Sequence, residues 1–197
     1  MTTKKISILI PACNEKAVID IPIKRALEAF KTYGYTGEIV IMDSSTDDTP
    51  QIAEKLGARV ISMPKLGIGK AYIEGLKHVT GDYIIMGDAD GTYDFMEIKG
   101  FVDRLEAGDD FVMGSRLRGT IHKGAMPWTH RHIGTPLLTW FINLFYKTSI
   151  SDCNSGLRAL TKEAYANMNL QSWGWEYASE MILKEINKQS KQGRANM

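Results

Sequence analysis

The sequence predicts an α/β fold, a mostly parallel sheet with helices on both faces, and three observations carry that reading. Short apolar, β-branched runs alternate with amphipathic stretches from the N-terminus to Gly114. Several of these runs end in Asp, Glu or Gly where a loop should begin, and no internal repeat or low-complexity linker interrupts the rhythm. Parallel strands need long crossover connections, and amphipathic helices of this length supply them.

Residues 6–10 form the first strand, closed by Pro11, and Ala12-Cys13-Asn14-Glu15 is the loop at its C-terminal end. A helix starts near Pro22, which a first turn tolerates; it buries Ile23, Leu27 and Phe30 and stops at Gly34. Residues 38–42 make the second strand, ending at Asp43. The cap-rich loop Ser44-Ser45-Thr46-Asp47-Asp48-Thr49-Pro50 then opens a helix that turns Ile52, Ala53 and Leu56 inward as far as Gly57. Residues 59–63 are the third strand, Gly67-Ile68-Gly69-Lys70-Ala71 opens a helix to about His78, and residues 82–87 are the fourth strand. Asp94 and Glu97 stand at capping-box spacing, so Asp94 reads as the cap of a helix reaching Leu105, followed by a strand at 110–114. Beyond it, helices are expected at 135–147, 161–168 and 176–188, an extended course at 152–160, and a frayed tail at 189–197.

At 197 residues the chain suits one domain, and a hydrophobic content of 44% suffices for a core. The formal net charge of +1 creates no field that would gather a polyanion, so no nucleic-acid partner is expected. Cys13 and Cys153 read as small packing residues in a reducing, cytoplasmic compartment. The apolar run at 6–10 is too short for a signal peptide. Leu137 to Tyr146, the longest greasy segment, falls short of the roughly 20 apolar residues that span a bilayer, although it could lie on one.

The stretch from Tyr83 to Thr92 organises the rest. An apolar run ending in Asp88-Ala89-Asp90-Gly91-Thr92 reads as a buried strand whose C-terminal tip carries chemistry, because ligands of open α/β sheets sit at that edge. If the tip stays extended, Asp88 and Asp90 share a face and reach one divalent cation, Mg²⁺ or Mn²⁺; a solvated turn is the plainer alternative. Glu15 and Asp43 are expected at neighbouring strand ends, so acids scattered along the chain converge. That edge suits a nucleoside diphosphate carried with its cation. Nicotinamide and P-loop chemistry do not fit: Tyr72 stands where the dinucleotide fingerprint needs its third glycine, and no Gly-Lys-Ser/Thr loop occurs. Asp88 to Thr92 also resembles the nucleophile motif of haloacid-dehalogenase-like phosphatases, but that motif belongs on a first strand. Between Ser115 and His132, Arg116, Arg118, His122, Lys123, His130, Arg131 and His132 surround Met126, Pro127 and Trp128. This mixture suits an amphiphile with an anionic head, or a solvated surface loop. A non-catalytic module that binds membranes through Met126 to Trp128 and Leu137 to Tyr146 is a further alternative.

Taken together, Pro11-Ala12-Cys13-Asn14-Glu15, Asp43-Ser44-Ser45-Thr46-Asp47, Asp88-Ala89-Asp90, Gly114-Ser115-Arg116 and Asp152-Cys153-Asn154-Ser155-Gly156-Leu157-Arg158 resemble the family 2 glycosyltransferases, in the family's own motif order. The similarity is greatest to the polyprenyl-phosphate branch, the dolichol-phosphate mannose and glucose synthase-like enzymes, and Glu176-Tyr177-Ala178-Ser179-Glu180-Met181 also resembles a segment of it. The resemblance implies a Rossmann-like GT-A fold in one catalytic domain over 1–188, with a nucleotide-binding half at 1–114 and an acceptor-binding half at 115–188. It implies that Pro11, Cys13, Glu15, Ile41 and Asp43 hold the donor's base and ribose. Asp88, Ala89 and Asp90, with Thr92 nearby, would hold the diphosphate and metal. Arg116 and Arg131 would grip a polyprenyl phosphate, and Asp152, Ser155 and Arg158 would line the sugar and acceptor region; Asp90, Arg116, Arg131 and Asp152 are the positions implied in catalysis. The implied reaction is inverting hexose transfer from a nucleotide sugar at the cytosolic face of a membrane, or to a non-lipid acceptor in other family members. The family usually continues with a strand, a basic segment over the phosphates and often membrane helices, so this chain is expected to be either a catalytic-domain fragment or a member that has lost that closure. Base, sugar and oligomeric state stay open.

Overall fold

The structure, a computed structural model, describes residues 4–115, 135–146, 152, 153 and 155–195. The sheet has six strands in the order β3-β2-β1-β4-β6-β5. β1 (Ile6–Ala12), β2 (Gly37–Asp43), β3 (Arg59–Ser62) and β4 (Tyr83–Met86) are parallel. β6 (Arg158–Thr161) is antiparallel to both β4 and β5 (Phe111–Met113), between which it lies. The mostly parallel sheet is therefore as expected, but β5 does not touch β4: the returning chain inserts β6 there.

The strands read as continuous apolar runs because both faces are covered. Ile8, Ile10, Ile39, Ile41 and Ile85 pack with α1 (Asp20–Tyr33), α2 (Thr49–Lys55) and α4 (Ile98–Glu106). The alternate residues Leu9, Val40, Met42, Ile84 and Met86 pack with α3 (Ile68–Gly75), α6 (Lys162–Met168) and α7 (Tyr177–Ala195). Burying each such side chain contributes about 1.5–3 kcal/mol. The remaining helix, α5 (Thr135–Tyr146), is tied in by the Thr139 hydroxyl, which accepts the Cys153 N–H at 3.3 Å. Cys13 and Cys153 are both free thiols.

Four details differ from the sequence reading. Pro11 lies inside β1 rather than after it; β1 pairs with β4 only as far as Leu9, so the missing N–H falls where no neighbour needs it. α1 begins at Asp20 and turns Ala26, not Leu27, into the core, leaving Leu27 41% exposed. β4 ends at Met86, and Asp88 to Gly91 form a turn, with Gly91 at φ +77°, instead of an extended tip. α7 continues to Ala195, past the expected end at Lys188, because Gln189, Lys191, Gln192, Arg194 and Ala195 all favour helix. Asp94 does act as a cap, accepting the Met96 N–H at 2.9 Å, and it also takes two bonds from Arg25 at 2.9 and 2.6 Å.

At the rim opposite the strands' C-terminal ends, Glu38 joins several elements. It accepts hydrogen bonds from the Ser7 hydroxyl at 2.8 Å, from the Thr80 N–H and hydroxyl at 2.7 Å each, and from Arg59 at 2.9 Å. Burial alone would raise its carboxyl, but these donors outweigh burial and hold the pKa at about 2, against 4.5 for an ordinary glutamate. A carboxylate whose pKa is depressed on folding stabilises fully above its unfolded pKa and loses that contribution as pH falls through the folded one. Comparing urea melts of wild type and Glu38→Gln should therefore show a difference in stability that shrinks between pH 4.5 and about 2. A constant difference across that window would exclude Glu38 as a contributor to acid sensitivity.

Candidate functional site

The C-terminal ends of β1, β2 and β4 meet at one rim, where two loops are sewn together. Asn14, at φ +61°, donates its N–H to Ser45 Oγ at 2.8 Å and accepts the Thr46 N–H at 2.8 Å. The Glu15 N–H is bonded to Thr49 Oγ1 at 2.9 Å. Ser45 Oγ in turn donates to Asp43 at 2.6 Å. Asp43 is buried behind Ser45, so it anchors the loop instead of facing the cleft.

A cleft of about 390 Å³ opens at this rim, and Pro11, Cys13, Glu15, Asp88, Ala89 and Asp90 line it. Acids 73 and more residues apart thus share one space. Burial raises the Glu15 carboxyl pKa first, and repulsion from Asp90 and Asp47 raises it further, which registers the convergence electrostatically. Asp90 is oriented by the Thr92 N–H, bonded to Oδ1 at 2.8 Å. Thr92 contributes through that N–H, and its side chain is exposed.

Among the described residues no group of three His, Cys, Asp or Glu side chains could hold a metal by itself. Two carboxylates on one turn fit a different arrangement, in which Mg²⁺ or Mn²⁺ takes its other oxygens from substrate phosphates and water. The donor set suits that arrangement, with oxygen ligands only and an open side.

The segment from Asp152 to Arg158 has a structural task the sequence did not reveal. Arg158 is fully buried and donates to the carbonyls of Ser155 (2.9 Å), Ala178 (2.8 Å) and Cys153 (3.3 Å), with its guanidinium 5.8 Å from the Tyr177 ring. It therefore sits in the junction of β6 and α7 and does not line the cleft. Asp152 and Ser155 are each 1% exposed, and Ile41 is wholly in the core, so none of the three faces the cleft. Gly156 does reach the site from behind: a Cβ there would lie 2.6 Å from Asp88 Oδ2, and its N–H donates to Tyr93 OH at 2.6 Å. A side chain at 156 would push the Asp88 carboxylate and the Tyr93 ring from their present positions. Arg116 and Arg131 lie outside the described residues.

Sequence reasoning missed the cleft's second wall. Met63, Lys65 and Leu66 after β3, and Gly174 and Trp175 before α7, line it as well. The clue was Gly67, which stands at φ +107° with room for no side chain, since a Cβ would meet the Trp173 carbonyl at 2.3 Å. A glycine required by a partner more than 100 residues away carries no local signal of that partner.

With this geometry established, comparisons with known proteins point one way. The family model described as Glycosyl transferase family 2 matches residues 7–168. The low-salt glycan biosynthesis hexosyltransferase Agl6 of Haloferax volcanii is 44% identical over 98% of this chain and 49% of its own length. Glycosyltransferase AglJ of the same organism is 30% identical over 93% of this chain and 59% of its own. The chain thus spans about half the length of these curated relatives. Among solved structures, glucosyl-3-phosphoglycerate synthase of Mycobacterium tuberculosis, in complex with Mn²⁺, UDP and glucosyl-3-phosphoglycerate, superposes with a TM-score of 0.72 at 24% identity, covering 94% of this chain and 66% of that one. The fold is that of the GT-A glycosyltransferases.

Proposed function

Since the chain belongs to glycosyl transferase family 2, we propose that it carries the catalytic site of a metal-dependent inverting hexosyltransferase using a nucleoside-diphosphate sugar. One observation carries the donor half of this reading: Glu15, Asp88 and Asp90 face one cleft at the sheet's C-terminal rim. Pro11, Cys13 and Glu15 would receive base and ribose, and Asp88 and Asp90 would hold the cation. What the cation supplies is stabilisation of negative charge on the departing diphosphate. Glu15, which lines the cleft, is suited to accept hydrogen bonds from the nucleoside.

For the acceptor we propose a polyprenyl phosphate. Such a phosphate is already an anion at neutral pH, so no side chain has to remove a proton before attack. Two observations support it. Between Asp110 and Asp152 there is no acidic residue, while Arg116, Arg118, Lys123, Arg131 and Lys147 are basic. On α5, Leu137, Trp140, Phe141, Leu144 and Phe145, each 42–73% exposed, recur at helical spacing along one stripe. A basic segment beside an apolar helical stripe suits an anionic lipid surface. Among the described residues no helix is long and apolar enough to cross a membrane.

Isothermal titration with a panel of nucleotide sugars, with and without Mn²⁺, tests the donor half: binding that requires the metal is expected. The acceptor half is tested by product formation with the donor that binds, offered either a short polyprenyl phosphate or phosphoglycerate. Turnover with phosphoglycerate alone would replace the lipid reading by the family's non-lipid chemistry.

A further inference from the structure

We propose that Trp175 is the platform for the transferred hexose, a binding and specificity residue that packs its indole against the sugar ring of the donor. The inference rests on the donor reading of the cleft and adds the direction in which the sugar lies.

Strand order supplies that direction. Along the rim the order is β2, β1, β4, β6. Cleft residues of the β1 and β2 ends receive the nucleoside, and Asp88 and Asp90 follow β4, so the diphosphate lies one strand further on. A hexose on the far side of the diphosphate then extends toward β6. This flank is where Gly156 abuts Asp88 and where Arg158 of β6 bonds the Ala178 carbonyl at the start of α7. Trp175 stands just before α7 and lines the same cleft, in a segment that bridges this flank and the start of α3, where Gly67 and Gly69 meet it.

The backbone that presents Trp175 is held from two sides. Glu180 accepts the Gln171 N–H at 2.9 Å and the Ser172 N–H at 2.8 Å, and the Trp173 carbonyl accepts the Lys70 N–H at 3.1 Å. At Gly69 a Cβ would meet the Ser172 carbonyl at 2.2 Å, so α3 and this segment touch backbone to backbone. A rigid support of this kind is what a binding side chain needs.

The two tryptophans of the segment differ in a telling way. Trp173 is already engaged, with Lys70 Nζ 5.0 Å from its ring centroid. Trp175 is 74% exposed, and its indole makes no ring or cation contact with any described residue. An indole left in water gains nothing on folding, and its apolar area stays available for a ligand to cover. A hexose carries apolar C–H faces that an aromatic ring covers while its hydroxyls stay hydrated. A free nucleoside diphosphate lacks that group and would leave the indole bare.

The test is therefore a difference between two ligands of one protein. UDP, UDP-glucose, GDP and GDP-mannose are titrated with Mn²⁺ into wild type, Trp175→Ala and Trp175→Phe. Trp175→Ala is expected to weaken the sugar nucleotide roughly tenfold, equivalent to about 1.4 kcal/mol, while the matching diphosphate changes less than about twofold. Trp175→Phe should keep most of the affinity. Tryptophan fluorescence gives a second readout: in wild type the sugar nucleotide should quench emission more than the diphosphate, and the extra quenching should vanish in Trp175→Phe. Equal losses for both ligands, or no loss for the sugar nucleotide, overturn the assignment of Trp175 and leave the donor site standing. Wild type that binds no nucleoside diphosphate overturns the donor reading and this assignment with it.

Discussion

Asp90→Ala is expected to abolish metal-dependent binding of nucleotide sugars, weakening it by about a hundredfold or more, while the protein stays folded. In the proposed site Asp88 and Asp90 would be the chain's two ligands to the cation, the others coming from substrate and water, so losing one carboxylate would remove half of what the chain contributes. The fold loses little, because Asp90 is exposed and its one bond within the turn is to the Thr92 N–H; removing such a local cap costs about 1 kcal/mol. A second consequence needs no ligand. Asp90 is one of the charges that raise the Glu15 pKa, so in Asp90→Ala the Glu15 carboxyl should titrate lower than in wild type. Calorimetry reads the first effect and a carboxyl-edited NMR titration the second. Full metal-dependent affinity in Asp90→Ala would place the cation elsewhere, and an unmoved Glu15 would show that the two carboxylates do not feel one another.

Arg158→Ala has the next largest effect, and it falls on stability. The guanidinium is fully buried and three backbone carbonyls accept its hydrogens. Burial lowers its pKa, yet it stays charged because arginine's ordinary value is so high. Truncation removes the donors from carbonyls that cannot reach water and leaves a cavity between β6 and α7. The expected cost is about 3–5 kcal/mol, from the cavity of a large-to-small change together with acceptors left unpaired. Arg158→Lys should recover little of it, since one ammonium cannot reproduce the planar fork that reaches Cys153, Ser155 and Ala178 together. Urea unfolding monitored by circular dichroism checks both variants. A stable Arg158→Ala protein that had lost only acceptor affinity would return the residue to the role its motif implies.

Arg158 and Gly156 illustrate how a motif can be recognised while the structural task of its parts stays hidden. Asp152 to Arg158 was visible as a family segment, but a motif records that residues matter without saying whether they touch substrate or hold up those that do. Here Gly156 gives the backbone room beside Asp88, and Arg158 fastens the strand behind it to α7. Asp43 is a similar case: it sits at the predicted strand end, yet its carboxylate holds Ser45, and through Ser45 it fixes Asn14. Burial decides these roles, and burial depends on elements remote in sequence.

The sequence by itself determined the alternation of strands and helices, the parallel course of β1 to β4, the cap at Asp94 and the acids at successive strand ends. Each is written in local periodicity, in turn chemistry, or in the rule that parallel strands point their C-terminal ends the same way. Tertiary structure alone decided that β6 inserts beside β4, that Arg158 is a buried brace, and that the loop carrying Lys65 and the segment carrying Trp175 form the cleft's other wall. Those outcomes arise from close approaches across long separations, such as Gly67 against the Trp173 backbone and Gly156 against the Asp88 carboxylate. No window of neighbouring residues contains both sides of such a contact, so its physical cause exists only once the chain has closed on itself.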